Sequence, residues 1–164
     1  MAADPSTREM VLKAVPQQVP FRFIDEILEL DDAHIVGAYR FRPDEFFYRG
    51  HFPGQPVTPG VIMIETMAQT GVVAFGIYLA MTQWRLSLEE IRSMTTLFTH
   101  AEEIEFRGIL LPGERVIVRG QKIYLRRKML KAQITMERES GEQVCSGILS
   151  GMAVPAETMK ATRP

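Results

Sequence analysis

Two side chains in this chain could move protons near neutral pH, and both stand where they need an explanation. His51 sits in a loop bounded by glycine and proline, Gly50-His51-Phe52-Pro53-Gly54. Glu65 is the only charged residue in the apolar run from Val61 to Gln83. A carboxylate there carries a desolvation penalty, and a carboxyl group in an apolar helix has its pKa raised, which suits a proton donor. Gln69 follows at i+4, on the same helical face, where it could orient the carboxyl group. Gly60 heads the helix. Its N–H lies where partial positive charge gathers and could bind a carbonyl oxygen that becomes negative.

Plainer roles are open for each residue. His51 could be a loop histidine hydrogen-bonded to backbone, Glu65 a buried carboxylate paired with an arginine, and Gly60 simply the residue that makes the turn. His34 and His100 are read as structural. Arg126-Arg127-Lys128, with Arg119, Lys122 and Lys131 nearby, is the only basic cluster. It is either a solvated face or a site for a phosphate-bearing partner.

These residues need elements to position them. Residues 1–15 read as a flexible arm or short helix. Phe23 to Leu30 and His34 to Phe41 read as a hairpin broken at Asp31-Asp32. Pro43 to Pro59 holds four prolines and two glycines and is loop. Pro59-Gly60 starts a helix to about Thr82, apolar almost all round and therefore buried on most sides. Strand patterns follow at Met94 to Phe106, Arg115 to Arg126, Lys128 to Glu137 and Val144 to Val154. In the third of these, Leu130, Ala132, Ile134 and Met136 alternate with polar residues. The last strands read as an antiparallel meander. This order implies an α+β domain over 16–155, a sheet curled around one helix, with a tail at 156–164.

At 164 residues and 46% hydrophobic, the chain can bury a core. A net charge of −1 gives no general pull toward nucleic acid or an anionic membrane. A single cysteine, Cys145, excludes an intrachain disulfide framework, and no zinc-binding spacing is present. The start lacks a secretory pattern, and the apolar helix is marginal as a membrane span, so a soluble cytoplasmic protein is expected.

From His51 to Gln69 the chain resembles, without a gap, the β-hydroxyacyl-[acyl carrier protein] dehydratases of the FabZ/FabA type. Their pattern is His-Phe-Pro-x-x-Pro-Val-x-Pro-Gly-Val-x-x-Ile-Glu-x-Met-Ala-Gln. A weaker resemblance runs from Pro20 to Ala153. It implies a hot-dog fold and a homodimer joined edge to edge, three of which assemble into a hexamer in many family members. Active sites would lie at the dimer interface, with histidine and carboxylate from opposite chains. On this resemblance His51 is the base that removes the C2 proton of a 3-hydroxyacyl thioester, and Glu65 is the acid that protonates the departing hydroxyl. Val57 fixes the histidine tautomer through its carbonyl, Gly60 binds the thioester carbonyl, and Gln69 partners the carboxyl group. Glutamate at 65 points to the FabZ-like branch. The implied chemistry needs no metal or redox cofactor, and the implied partner is an acyl carrier protein, with Arg126, Arg127 and Lys128 as its contact.

Pro16-Gln17-Gln18, Arg107-Gly108 and the acidic Glu102, Glu103 and Glu105 depart from the family pattern. They point toward a specialised pathway such as polyketide or polyene synthesis over housekeeping fatty-acid synthesis. Two other readings remain: a hot-dog thioesterase, and a non-catalytic subunit that pairs with an active homologue.

Overall fold

A computed structural model of the chain describes residues 2–159. Six strands form one antiparallel sheet: β1 (Glu26–Leu30), β2 (His34–Arg40), β3 (Met94–Phe106), β4 (Arg115–Arg126), β5 (Met129–Arg138) and β6 (Gln143–Pro155), in the order β1-β2-β4-β5-β6-β3. The last four strands are therefore not a simple meander. β3 crosses to the far edge and pairs with β6, Met94 opposite Pro155 and Phe106 opposite Cys145. The sequence pattern could not separate these pairings, because strand alternation reports which face is buried and not which neighbour lies alongside. β1 begins at Glu26, because Phe21 to Phe23 spend their backbone groups on the helix described below.

The sheet wraps a helix that runs from Gly60 to Gln83, here called α2. It is long and apolar enough to cross a membrane, yet most of it is buried in the protein's own core. Its middle, Gln69–Ala74, widens to π-helical geometry. This is where helix and sheet come closest. A Cβ at Gly71 would lie 2.3 Å from Ile134 Cδ1, and one at Gly120 would lie 3.1 Å from Gly71 Cα. Only glycine allows that approach. The expected alternation in β5 is present: Leu130, Ala132, Ile134 and Met136 are all buried against α2 or its neighbours.

Two apolar clusters divide the helix between them. The first half packs with Phe23, Tyr39, Met136 and Leu149 through Met63 and Met67. The second half packs with Ile24, Ile35 and Leu130 through Phe75 and Leu79. Each such side chain contributes about 1.5–3 kcal/mol when fully buried. α1 (Pro5–Ala14) joins the second cluster. Of the arm or short helix expected here, the helix is present: Val11, Ala14 and Val15 are buried, Asp4 caps the helix, and Arg22 donates to the carbonyls of Leu12, Val15 and Gln17. A short α3 (Leu88–Arg92), closed by a Ser87/Glu90 capping box, leads into β3. Of the expected tail, Ala156–Met159 form a 3-10 turn, and the remainder lies outside the described residues.

Candidate active site

The His51 loop is held by its own backbone. Val57 N–H donates to the His51 carbonyl at 2.9 Å, and Thr58 N–H donates to the Leu110 carbonyl at 2.9 Å. Beneath it the buried Thr58 and Tyr48 hydroxyls lie 2.6 Å apart. The His51 ring lies against Phe52, with centroids 4.1 Å apart. Its Nδ1 is 2.8 Å from the Val57 carbonyl oxygen. A carbonyl only accepts, so in the neutral ring Nδ1 carries the proton and Nε2 keeps the free lone pair of a base.

Glu65 projects from the first half of α2 and is partly buried. Among the described residues no arginine pairs with it. Its partner is Gln69, whose Nε2 donates to Oε1 at 2.9 Å. Burial pushes the carboxyl pKa above its usual value, and the Gln69 hydrogen bond offsets only part of that. One oxygen is thereby engaged as an acceptor, leaving Oε2 to carry and donate a proton.

Gln69 is itself fully buried and has no freedom to turn over. Its Nε2 also donates to the Phe21 carbonyl at 2.9 Å, and its Oε1 accepts from Phe23 N–H at 2.7 Å. The approach to β1 therefore fixes which end of the amide faces Glu65. The i+4 spacing made Gln69 visible in the sequence. Its anchors at Phe21 and Phe23 are backbone groups more than forty positions away, and no residue type signals them.

Gly60 opens the helix behind Pro59, which caps it without a side-chain hydrogen bond. The Pro59 carbonyl accepts from the N–H groups of Ile62 and Met63. The Phe106 ring lies over Gly60, where a Cβ would stand 3.0 Å from its edge. Glycine thus suits this close contact, and Phe106, half exposed, joins the site as a residue the sequence reading did not name for it.

Among the described residues no hydrogen bond joins His51 to Glu65 within the protomer. Arg126, Arg127 and Lys128 stand apart from both. They form the exposed β4–β5 turn, with positive φ at Arg127 and Lys128 (51° and 63°), and Arg126 lies over the Tyr124 ring. That turn is at the opposite end of β4 from the Leu110 loop that touches Thr58. His34 and His100 are exposed and belong to neither group.

Residues 15–147 match the model of the FabA-like domain family. The chain belongs to this family. Its relatives include a protein of Caldicellulosiruptor saccharolyticus named 3-hydroxyacyl-[acyl-carrier-protein] dehydratase FabZ, 34% identical over 140 residues, covering 85% of this chain and 92% of that protein. A protein of the same name from Hydrogenobaculum is 32% identical over 151 residues, covering 92% and 96%. Among solved structures, the dehydratase heterocomplex ApeI:P of Xenorhabdus doucetiae superposes with a TM-score of 0.72 at 12% identity, covering 93% of this chain and 97% of that one. A mutant form of thioesterase PA1618 from Pseudomonas aeruginosa reaches 0.62 at 14% identity, covering 90% and 94%. These likenesses establish the hot-dog fold. Because a dehydratase and a thioesterase share it, the chemistry of this FabA-like chain must be argued from its site. α1 precedes the matched span.

Proposed function

We propose that the protein eliminates water from 3-hydroxyacyl thioesters carried on an acyl carrier protein, giving trans-2-enoyl thioesters. The observation that carries this reading is the state of Glu65: a carboxyl group raised by burial, tied at one oxygen by Gln69 and free at the other. His51 Nε2 takes the C2 proton. The electron pair of that C–H bond becomes the C2=C3 double bond, and the C3–O bond breaks as Glu65 Oε2–H protonates the hydroxyl, which leaves as water. The Gly60 N–H steadies the thioester oxygen, where negative charge gathers. The cycle closes when the imidazolium proton returns to the Glu65 carboxylate.

Among the described residues the hydrogen bonds of His51 and Glu65 go to Val57 and Gln69 and not to each other, which supports a homodimer in which each site takes the histidine of one chain and the glutamate of the other. Three such dimers forming a hexamer is a natural extension. Arg126, Arg127 and Lys128 are the proposed carrier contact. The pathway is fatty-acid synthesis or a polyketide or polyene relative of it, in the cytoplasm.

The thioesterase alternative needs an ionised carboxylate to activate water. A raised Glu65 pKa works against that, whereas it favours an acid. Mass spectrometry of 3-hydroxyacyl carrier proteins of several chain lengths tests the choice. Loss of water from the intact acyl carrier is expected. Release of the acyl group with a free thiol would replace this reading with hydrolysis. Inactivity alone, restored by a second hot-dog chain, would make the protein a subunit of a mixed dimer.

A further inference from the structure

One cavity lies away from His51 and Glu65. It is a space of about 290 Å³ beside the second half of α2, closed off by the end of α1, by α3 and by the β4–β5 turn. Val72, at its inner end, stands about 10 Å beyond Glu65 along the helix, and Trp84, at the other end, about 28 Å beyond it, at 1.5 Å per residue. Its walls are apolar, with Ile77, Leu125 and Leu130 prominent. Gly76 leaves it open: a Cβ there would find only Leu130 Cδ2, at 3.9 Å.

Its charged lining is one-sided. Lys13, Arg92 and Lys128 line it, each exposed, and no carboxylate does so among the described residues. Lys13 bridges to Glu9 at 2.6 Å in solvent, while Arg92 and Lys128 have no ion-pair partner among the described residues. An amide-bearing ligand would find few polar side chains within, chiefly Thr96 and Gln18. A hydrocarbon chain suits the walls, and an anion at its end suits the rim.

We propose that this cavity binds a linear alkyl chain ending in a carboxylate, with the chain along α2 and the carboxylate among Arg92, Lys128 and Lys13. Two sources supply that chemistry: the far end of a carrier-bound acyl substrate, or a free fatty acid. The substrate source rests on the reaction proposed above; binding of a free fatty acid does not. Lys13 is supplied by α1, which precedes the span matched by the family model.

Calorimetric titration of the full-length protein with dodecanoate, against dodecan-1-ol, tests it. Saturable dodecanoate binding is expected, weakened roughly two- to fivefold per charge in the double variant R92Q/K128Q, with dodecanol unaffected by those changes. Gly76→Phe, which fills the cavity, should abolish both. Equal binding of acid and alcohol, unchanged in R92Q/K128Q, would overturn the proposal. So would undiminished binding in folded Gly76→Phe. The two exposed substitutions keep the test decisive should Gly76→Phe not fold. Turnover then separates the sources. A preference for carboxylate-ended over methyl-ended 3-hydroxyacyl carriers, lost in R92Q with Lys128 left in place because it is also the proposed carrier contact, assigns the cavity to substrate. Competitive inhibition by dodecanoate without that preference assigns it to a free fatty acid. Because dodecanoate binding is read without turnover, failure of the dehydratase reading and failure of this one stay distinguishable.

Discussion

The two halves of the central helix treat polarity in opposite ways. In the first half Glu65 and Gln69 are drawn out of solvent, and the amide has a partner for each end: Glu65 Oε1, the Phe21 carbonyl and the Phe23 N–H. In the second half the buried side chains are apolar, and the charges of Lys13, Arg92 and Lys128 stay at the surface around a cavity. A polar group taken from water must be partnered, at a cost of about 1–3 kcal/mol if it is not, so the first half is built rigidly around its network. A cavity lined by methyl groups makes no such demand and leaves space. The first half is therefore where chemistry can be held in place, and the second where something can be accommodated.

The strongest way to break this contrast is to remove the proton-moving groups. His51→Ala and Glu65→Gln should each lower water loss by about 100- to 10,000-fold, with the circular dichroism of the folded protein little changed. Near-wild-type turnover in either variant would remove that residue from the mechanism. Leu130→Ala, in the second cluster, should by contrast cost about 2–5 kcal/mol of stability, measured by urea unfolding, while the folded fraction keeps its turnover of short acyl chains.

Gln69→Leu sharpens the comparison from the other side. It strands the Phe23 N–H and the Phe21 carbonyl, and a loss of about 1–3 kcal/mol for each group left unpartnered is expected by chemical denaturation. It should also raise the Glu65 pKa further, since the amide bond is what lowers it. The high-pH limb of the activity profile would then move to higher pH.

The raised Glu65 pKa carries a stability consequence of fixed sign. The folded state holds its proton more tightly than the unfolded chain does, so stability falls as pH rises from the ordinary carboxylate range through the folded pKa. Glu65→Gln should therefore be the more stable protein at mildly alkaline pH, with the difference vanishing below the usual carboxylate range. Melting temperatures at a series of pH values test this. A variant that loses stability relative to the native protein as pH rises would show that the carboxylate is stabilised rather than strained.

The smallest effect is expected at the β4–β5 turn. Replacing Arg126, Arg127 and Lys128 with glutamine should raise KM for carrier-bound substrate several-fold at low salt, leave kcat unchanged, and have no effect on a carrier-free thioester. A fall in kcat would place the turn in the chemistry instead.

The candidate site was legible in the chain where its geometry is local: helical period alone puts Gln69 beside Glu65. Val57 was implied only by the family resemblance, and the fold brings its carbonyl to His51 Nδ1. Alternation from Leu130 to Met136 likewise reports a buried face whatever its neighbours are. Three features were decided only by tertiary structure. β3 pairs with β6 across the sheet, which alternation cannot specify. Residues 5–14 dock as a helix, because Val11 and Ala14 find apolar surface supplied by distant residues. The amide of Gln69 is oriented by backbone groups of Phe21 and Phe23, and every residue carries such groups, so side-chain identity cannot announce them. Sequence determined which groups could do the chemistry, since side-chain type and short-range geometry are written in it. The fold decided what surrounds them, since long-range contacts depend on the summed burial of the whole chain.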